Sequence, residues 1–304
     1  MSPGFADDRT RGSSVVSGAF LDELERWMLT DRSADAGALR AALLAWLRAA
    51  QAAQPSLALV HQFAARALAV ADTGVTRGDG VAELRRHLVA SCEAERDDLT
   101  RAVAEAAKLA AQLISAREPL VATLSASGGV DAAIRELASG GRKVRVLVAE
   151  SRPLLEGRGT ARALAAAGLE CWLVADAALP LLVSQASAVW LGADAVTEAG
   201  VLNKIGSYTV ALAAREHGVP VWAIATRRKL LPAATPALAI REMPGDELWA
   251  EPPAGVRPRN VYFELVPAAL LRGVVVEDGV LGATECAVAA RDRALPAELA
   301  AATG

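Results

Sequence analysis

With 304 residues, of which 53% are hydrophobic and 22% charged, the chain is long enough for one large domain or two modest ones and too apolar for a disordered protein. Its net charge is −3, and no basic block could neutralise a run of phosphates, which argues against nucleic acid as a partner. No apolar run approaches a membrane span and the polar N-terminus shows no signal peptide, so we expect no membrane partner and a cytoplasmic location.

The first 116 residues have helical periodicity and no strand character. Residues 1–18 are rich in Gly, Ser, Asp and Arg, which predicts a disordered leader. Four helices are predicted after it, from Ala19 through Met28, from Asp35 to Ala53, from Pro55 through Ala71, and from Val81 to Ile114. The pattern predicts an all-helical N-terminal domain over residues 19–116.

After Arg117, short Val/Leu/Ile runs alternate with helical segments. The runs are PLVATLS, KVRVLVAE, ECWLVAD, AVWLGAD and VPVWAIAT. This alternation predicts an α/β fold, a Rossmann-like doubly wound parallel-sheet domain over residues 117–304, with its ligand site at the carboxyl ends of the strands. Residues 260–279 would add a strand or close an edge of the sheet.

The first strand ends in TLSASGG at 123–129, which contains Ser125, Ser127 and Gly128. A strand-to-helix turn rich in hydroxyls and glycine presents backbone N–H groups to a phosphate, although the same residues often do no more than cap a helix. The second strand leads into ESRP and EGR, which contain Arg152 and Arg158. Arginine suits phosphate binding, but a solvated ion-pair cluster is the commoner outcome.

Asp194 follows the apolar strand AVWLG, so burial should raise its pKa and suit it to moving a proton. A turn-capping aspartate is the alternative. Asn203 and Lys204 precede a helix that begins near Gly206 and Ser207, where an anion or an ordinary N-cap would be found. His61, His87 and His217 are isolated and indicate core packing or surface exposure, and Cys92, Cys171 and Cys286 lack metal-ligand spacing, so neither metal nor cofactor is predicted.

These motifs, in this order, resemble the family of initiation factor 2B alpha, beta and delta subunits, which also contains methylthioribose-1-phosphate isomerase and ribose-1,5-bisphosphate isomerase. The resemblance is carried by GADAV…NKIGS and ESRP…EGR and covers most of residues 120–280. In the helical half it is limited to AAQPSLALV at 52–60, which is similar to a Pro-Ser segment of the family.

The resemblance implies a homodimer, formed largely through the sheet domain, and a pocket for a phosphorylated sugar or nucleoside monophosphate. In the isomerases an aspartate at the position of Asp194 works with a cysteine to move a proton between C1 and C2 of an opened aldose 1-phosphate. Asn203 and Lys204 would contact the sugar or its phosphate.

Two departures from the isomerase pattern affect the predicted activity. The cysteine position falls on Ser125, whose hydroxyl is a much weaker acid than a thiol. The isomerases' Arg-Gly-Ala phosphate loop has no clear match, because Arg77-Gly78-Asp79 falls after the third helix.

Three functions follow from these observations. We expect a phosphosugar- or nucleotide-binding protein without the catalytic cysteine. The first alternative is an active aldose–ketose isomerase on a ribose 1-phosphate derivative, with Asp194 as proton shuttle and Ser125 in support. The second, a subunit of a translation initiation exchange-factor assembly, ranks last because the Ala/Leu/Arg-rich composition suggests a bacterium.

Overall fold

Four helices make up the first part of the structure, a computed structural model that describes residues 5, 12–235, 238 and 240–300. They are α1 (Ser13–Thr30), α2 (Ala36–Ala53), α3 (Ala58–Arg77) and α4 (Val81–Gln112). The side chain of Asp35 caps α2 by accepting a hydrogen bond from the Ala38 N–H at 2.8 Å. Apolar side chains at helical spacing, such as Phe20, Leu43 and Phe63, face inward and form a shared core. The prediction of an all-helical first half is confirmed for the described residues.

The predicted disordered leader extends too far, because α1 begins at Ser13 and not at Ala19. Val16 lies one turn before Phe20 on the same face of the helix and is fully buried, so the apolar stripe starts earlier than expected. Phe5 is also buried and packs edge-on against Phe20, with ring centroids 5.6 Å apart. The other leader residues, 1–4 and 6–11, lie outside the described part of the chain.

Strands and helices alternate after α4, as the sequence predicts. The elements up to the fourth strand are β1 (Leu120–Leu124), α5 (Gly128–Ser139), β2 (Arg145–Ala149), α6 (Glu156–Ala166), β3 (Glu170–Val174), α7 (Leu179–Leu182) and β4 (Ala188–Leu191). Those that follow are β5 (Ala195–Thr197), β6 (Gly200–Lys204), α8 (Ser207–Glu216), β7 (Val221–Ile224), β8 (Glu242–Met243), β9 (Asn260–Val261), β10 (Phe263–Pro267), β11 (Gly273–Val276), β12 (Gly279–Leu281), α9 (Ala283–Arg291) and α10 (Ala297–Ala300).

The main sheet is doubly wound, with strand order β12-β11-β7-β4-β1-β2-β3. Every neighbouring pair is parallel except β11 with β12. One face is covered by α5, α6 and the end of α4, and the other by α7 and α8. The chain leaves β1 towards one edge and returns to β4 on its other side. Ligands bind at such a reversal point in open α/β sheets, at the carboxyl ends of the two strands.

The segment between β4 and α8 differs from the short turn expected there. It forms a hairpin of β5 and β6, which β10 extends into a separate three-stranded antiparallel sheet. Gly200, at φ 143°, permits this arrangement, because a Cβ at this position would lie 2.1 Å from the Val266 carbonyl oxygen. Asn203 and Lys204 therefore lie at the end of a strand, two residues before α8 begins.

The two halves share structural elements across the predicted boundary at residue 116. The first half of α4 packs in the helical core through Leu84 and Leu88, whereas its last turns pack on the sheet through Ala106 and Ala110. At the C-terminal end, Leu299 of α10 returns to the helical core. None of the described helices combines the length and the hydropathy needed to cross a membrane.

Candidate functional site

A cavity of about 340 Å³ lies at the carboxyl ends of β1 and β4. Four residues predicted from the sequence line it: Ser125, Asp194, Asn203 and Lys204. The other walls come from the start of α1, the loop between α2 and α3, and the segments around β8 and β10. The cavity thus lies at the topological reversal of the sheet and is covered by the helical half.

Asp194 is held in place through its backbone between the sheet and the helical half. Its N–H donates to the Leu202 carbonyl oxygen at 2.8 Å, and its own carbonyl oxygen accepts from the N–H of Ala58 at the start of α3. Burial raises the pKa of the Asp194 carboxyl to about 6, even though Lys229, Ser13 and Lys204 favour the charged form. The carboxylate is therefore mostly ionised at neutral pH and can still accept a proton.

Ser125 occupies a strained backbone position at the end of β1, with φ at 62°. Its N–H donates to the Ser151 hydroxyl at 2.7 Å and its carbonyl oxygen accepts from the Thr160 hydroxyl at 2.8 Å. Ser151 is itself left-handed, at φ 66°, and its N–H donates to Asp176 at 2.7 Å. Each non-glycine residue in this region costs about 1–2 kcal/mol, so these hydrogen bonds keep Ser125 at the cavity against a conformational preference.

Lys204 is buried and its charge is paired inside the protein. Its ammonium lies 2.5 Å from a carboxylate oxygen of Glu156 and 4.6 Å from the ring centre of Tyr262. Glu156 and Tyr262 also line the cavity, and the Tyr262 hydroxyl donates to Glu247. A ligand would therefore meet an ion pair here and not the free cation that the sequence suggests.

The anion site predicted at the start of α8 is occupied by a carboxylate of the chain itself. The Tyr208 N–H donates to Glu264 at 2.8 Å, and the N–H groups of Gly206 and Ser207 stabilise the same carboxylate. The Ser207 hydroxyl accepts from Asn203 at 2.9 Å and donates to the Lys204 carbonyl oxygen at 2.6 Å. Glu264 therefore satisfies this helix end, and neither Gly206 nor Ser207 lines either cavity, so ligand binding by these two residues stays a prediction.

A second, more open cavity of about 600 Å³ adjoins the first and contains Ser127, Gly128 and Arg158. Gly12, Ala126 and Glu156 line both cavities. The Ser127 hydroxyl accepts from the Val130 N–H at 3.4 Å and so caps α5.

The two arginines have protein partners in the described structure. Arg158 pairs with Glu150 at 2.7 Å, as the ion-pair alternative predicts. Arg152 donates to the Leu248 carbonyl oxygen at 3.1 Å and lines neither cavity. Binding of a ligand by Arg152 is thus unsupported, because its side chain is directed elsewhere.

Several cavity residues were missed at the sequence level. Gly12 and Ser13 fall in the predicted leader. The segment 53–57 coincides with the Pro-Ser motif noted above. Glu156 could have been found as the acid of the EGR motif, whereas Lys229, buried just behind Ser13, shows no signal in the sequence.

His61 supports the cavity from the helical half. It is fully buried, its Nδ1 lies 2.8 Å from the Gln51 side-chain nitrogen and its Nε2 lies 2.9 Å from the Pro55 carbonyl oxygen. These partners require a neutral ring that donates from Nε2, and burial lowers the pKa of His61 to about 4. The three cysteines are all described, and none of them lines either cavity.

The sequence over residues 9–283 matches the family model of the initiation factor 2 subunit family, and the chain belongs to this family. It is 39% identical over 174 residues to a probable bifunctional methylthioribose-1-phosphate isomerase/methylthioribulose-1-phosphate dehydratase of Nocardia farcinica, a match that covers 54% of this chain and 32% of the relative. It is 33% identical to a ribose 1,5-bisphosphate isomerase of Archaeoglobus fulgidus, with 49% of each chain covered.

Among solved structures, the fold is similar to a translation initiation factor eIF-2B of Pyrococcus horikoshii. The TM-score is 0.75 at 25% identity, and the match covers 91% of this chain and 94% of the other. The chain spans between about a third and three fifths of the length of the curated relatives that it matches.

Proposed function

We propose that this member of the initiation factor 2 subunit family binds a phosphorylated sugar in the enclosed cavity at the carboxyl edge of its sheet. The observation that carries the proposal is the meeting of Asp194, Asn203, Lys204 and Ser125 in one cavity. Hydroxyl, amide, carboxylate and ammonium groups together suit a polyol, because each can exchange a hydrogen bond with a sugar hydroxyl. Two relatives are named as isomerases of phosphorylated sugars.

The phosphate would lie towards the open cavity. There Gly128 begins α5, so free N–H groups and the positive end of the helix dipole face the space next to Ala126. The enclosed cavity holds the ion pair of Lys204 with Glu156 and has less spare positive charge for a dianion. A nucleoside monophosphate has the same sugar and phosphate chemistry and is the alternative ligand.

Isomerase activity is the second candidate, and the carboxyl of Asp194 favours it. A carboxylate with a pKa of about 6 in a cavity that it shares with the Ser125 hydroxyl could take a proton from C2 and return it at C1. Ser125 stands where the isomerases have cysteine, so we propose that turnover, if it occurs, depends on Asp194 alone. The third function, a subunit of an exchange-factor assembly, is supported only by the names of relatives.

A thermal-shift screen tests the proposal with ribose 1-phosphate, ribose 1,5-bisphosphate, methylthioribose 1-phosphate, sugar 6-phosphates, AMP and GMP. A ligand that binds the folded protein stabilises it by about 2.7 kcal/mol at a free concentration of a hundred times Kd. The melting temperature rises accordingly. We expect a shift with at least one sugar 1-phosphate and none with unphosphorylated ribose. The absence of a shift with every phosphorylated compound would contradict the proposal.

Any compound that binds is then assayed for conversion of aldose to ketose. If the protein is an isomerase, Asp194→Asn should lower turnover by about 10²–10⁴-fold, since it removes the general base. Asp22→Asn is the matched control, because Asp22 lies on the surface and pairs with Arg96. Turnover that survives Asp194→Asn would exclude Asp194 as the proton carrier, and binding without turnover would leave the protein a binding module.

The homodimer also stays a proposal. Strand β3 is at the edge of the main sheet and exposes Trp172 and Leu173, 37% and 46% accessible. Such an edge offers an apolar surface to a second copy. Light scattering coupled to gel filtration measures the mass directly, and a monomer at micromolar concentration would contradict the proposal.

A further inference from the structure

Three consecutive basic residues, Arg227, Arg228 and Lys229, form a single helical turn after β7 that joins three parts of the molecule. Arg227 pairs with Asp278 at 2.8 Å, on the sheet side. Arg228 pairs with Asp98 at 2.7 Å and with Glu95 at 2.9 Å, both on α4. Lys229, the last of the three, is directed inward and is only 4% exposed.

The Lys229 ammonium contacts the two segments that border the cavity at Asp194. It donates to the Ser13 hydroxyl at 2.9 Å and to the Ala193 carbonyl oxygen at 2.6 Å. Ser13 is the first residue of α1, and Ala193 immediately precedes Asp194. Lys229 does not itself line the cavity, so a bound ligand would not touch it.

The contact with Lys229 orients the Ser13 hydroxyl. Because the ammonium donates to the Ser13 oxygen, the hydroxyl hydrogen remains available to an acceptor. The Ser13 hydroxyl donates to the Ala193 carbonyl oxygen at 3.4 Å, and Ser13 also favours the charged form of Asp194. Lys229, Ser13 and the Ala193 carbonyl therefore form a connected set beside the Asp194 carboxylate.

We propose that Lys229 is a positioning residue that, acting through Ser13 and the Ala193 carbonyl, fixes the start of α1 and the Asp194 carboxylate to each other at the enclosed end of the cavity. This inference rests on the proposed function only in assuming that Asp194 faces the ligand. Lys229 would thus hold the site in place without touching the ligand.

The charges around Asp194 favour Lys229 for this part. Lys229 approaches from the turn after β7, Lys204 from β6 and Glu156 from α6. The charge of Lys204 is offset by Glu156 at 2.5 Å. Burial lowers the pKa of the Lys229 ammonium, and among the described residues the acid that opposes this shift is Asp194. Glu95 and Asp98 of α4 are engaged with Arg228. Lys229 is thus the cation near Asp194 whose charge Glu156 does not offset.

Carboxyl ¹³C NMR of protein labelled in aspartate tests the inference without any ligand. The Asp194 resonance is assigned as the one absent from Asp194→Asn, and its wild-type midpoint should lie near pH 6. Lys229→Met should move this midpoint up by about one pH unit or more, since an adjacent opposite charge is removed. Lys108→Met, on the exposed surface of α4, is the matched control and should leave it in place. An unmoved midpoint in a folded Lys229→Met protein would overturn the inference.

A double-mutant cycle separates positioning from a general structural role. Lys229→Met should weaken the binding of ribose 1-phosphate by about 10-fold in the wild type and by less than about 2-fold in Asp194→Asn, because the two residues act together. Equal weakening on both backgrounds would contradict the inference.

If Lys229→Met folds poorly, Ser13→Ala provides a second test. Ser13→Ala deletes one hydroxyl and should raise the Asp194 midpoint in the same direction by a smaller amount, whereas an unchanged midpoint would contradict the path through Ser13. If the wild type binds no ribose 1-phosphate, the NMR titration still decides the role of Lys229, and only the proposed function fails.

Discussion

The two halves of the molecule contribute different things to one cavity. Among the described residues that line it, every titratable side chain comes from the sheet half: Glu156, Asp194, Lys204, Arg241, Glu242 and Tyr262. The helical half contributes only small, apolar or neutral polar residues, from the start of α1 and the loop at 53–57. The sheet half therefore supplies the titratable groups, and the helical half closes the cavity. We call its lining residues, at 12–16 and 53–57, the cover.

This division explains why burial matters so much at Asp194. Without the start of α1 and the α2–α3 loop, the carboxylate would face solvent at the end of β4. The cover removes solvent and raises the pKa of Asp194, while Lys229 and Ser13 keep the charged form accessible. Three predictions test the division, from the largest expected effect to the smallest.

The closest approach in the sheet half is at Gly157, where a Cβ would lie 1.8 Å from the Ala149 carbonyl oxygen. Gly157→Ala should therefore force α6 away from β2 and cost about 3 kcal/mol or more, with Glu156 carried away from Lys204. Gly159→Ala is the matched control in the same helix, because a Cβ there meets nothing within 4 Å, and it should stabilise by about 0.5–1 kcal/mol. Urea unfolding measures both, and equal stabilities would contradict the tight contact.

In the helical half, His61 should make stability depend on pH. Burial lowers the pKa of His61 from its ordinary value of 6.5 to about 4 in the folded protein, so the unfolded chain binds a proton first as the pH falls. The stability contributed by the neutral ring is present above pH 6.5 and is lost between pH 6.5 and 4, by about 3 kcal/mol.

This loss should be smaller in His61→Gln, whereas His217→Gln, at an exposed position, should behave as the wild type does. Urea unfolding at several pH values between 4.5 and 7 makes the comparison. Identical slopes for the wild type and His61→Gln would contradict a buried, neutral His61 ring in the folded protein.

The start of the helical half approaches the sheet half closely at Gly12, where a Cβ would lie 2.8 Å from the Ala126 carbonyl oxygen. Gly12→Ala should push the start of α1 off the sheet half at a cost of about 1–2 kcal/mol. Gly18→Ala is the control inside α1, because a Cβ there meets nothing within 4 Å, and it should stabilise by about 0.5–1 kcal/mol. Thermal unfolding of the two variants gives opposite signs if the cover is fixed at this point, and the same sign if it is not.

The sequence was most informative where function depends on residues next to strand ends. Asp194 and Ser125 could be predicted because a strand's apolar run shows where its carboxyl end lies, and parallel strands bring these ends together. The sequence does not show that Glu264, 56 residues beyond Tyr208, occupies the helix end at Gly206 and Ser207. The pairing of Lys204 with Glu156 likewise joins residues 48 apart, which no local pattern reveals.

The cover was the hardest part to predict, for a physical reason. A residue that only closes a cavity must be small and correctly placed, so Gly12, Ser13 and Pro55 have no distinctive chemistry in the sequence. Val16 is the local signal that α1 begins before Ala19, since it continues the stripe of Phe20. To predict where α1 begins, the apolar stripe of Phe20 must be followed towards the N-terminus through a polar segment.

The most direct test of the central claim is a crystal structure with ribose 1-phosphate at a concentration that saturates the thermal shift. We predict density for the sugar between Asp194 and Lys204 in the enclosed cavity, beneath Ser13 and Pro55, with the phosphate towards Gly128. Density confined to the open cavity beside Arg158, with the enclosed cavity free of ligand, would contradict the assignment of the site.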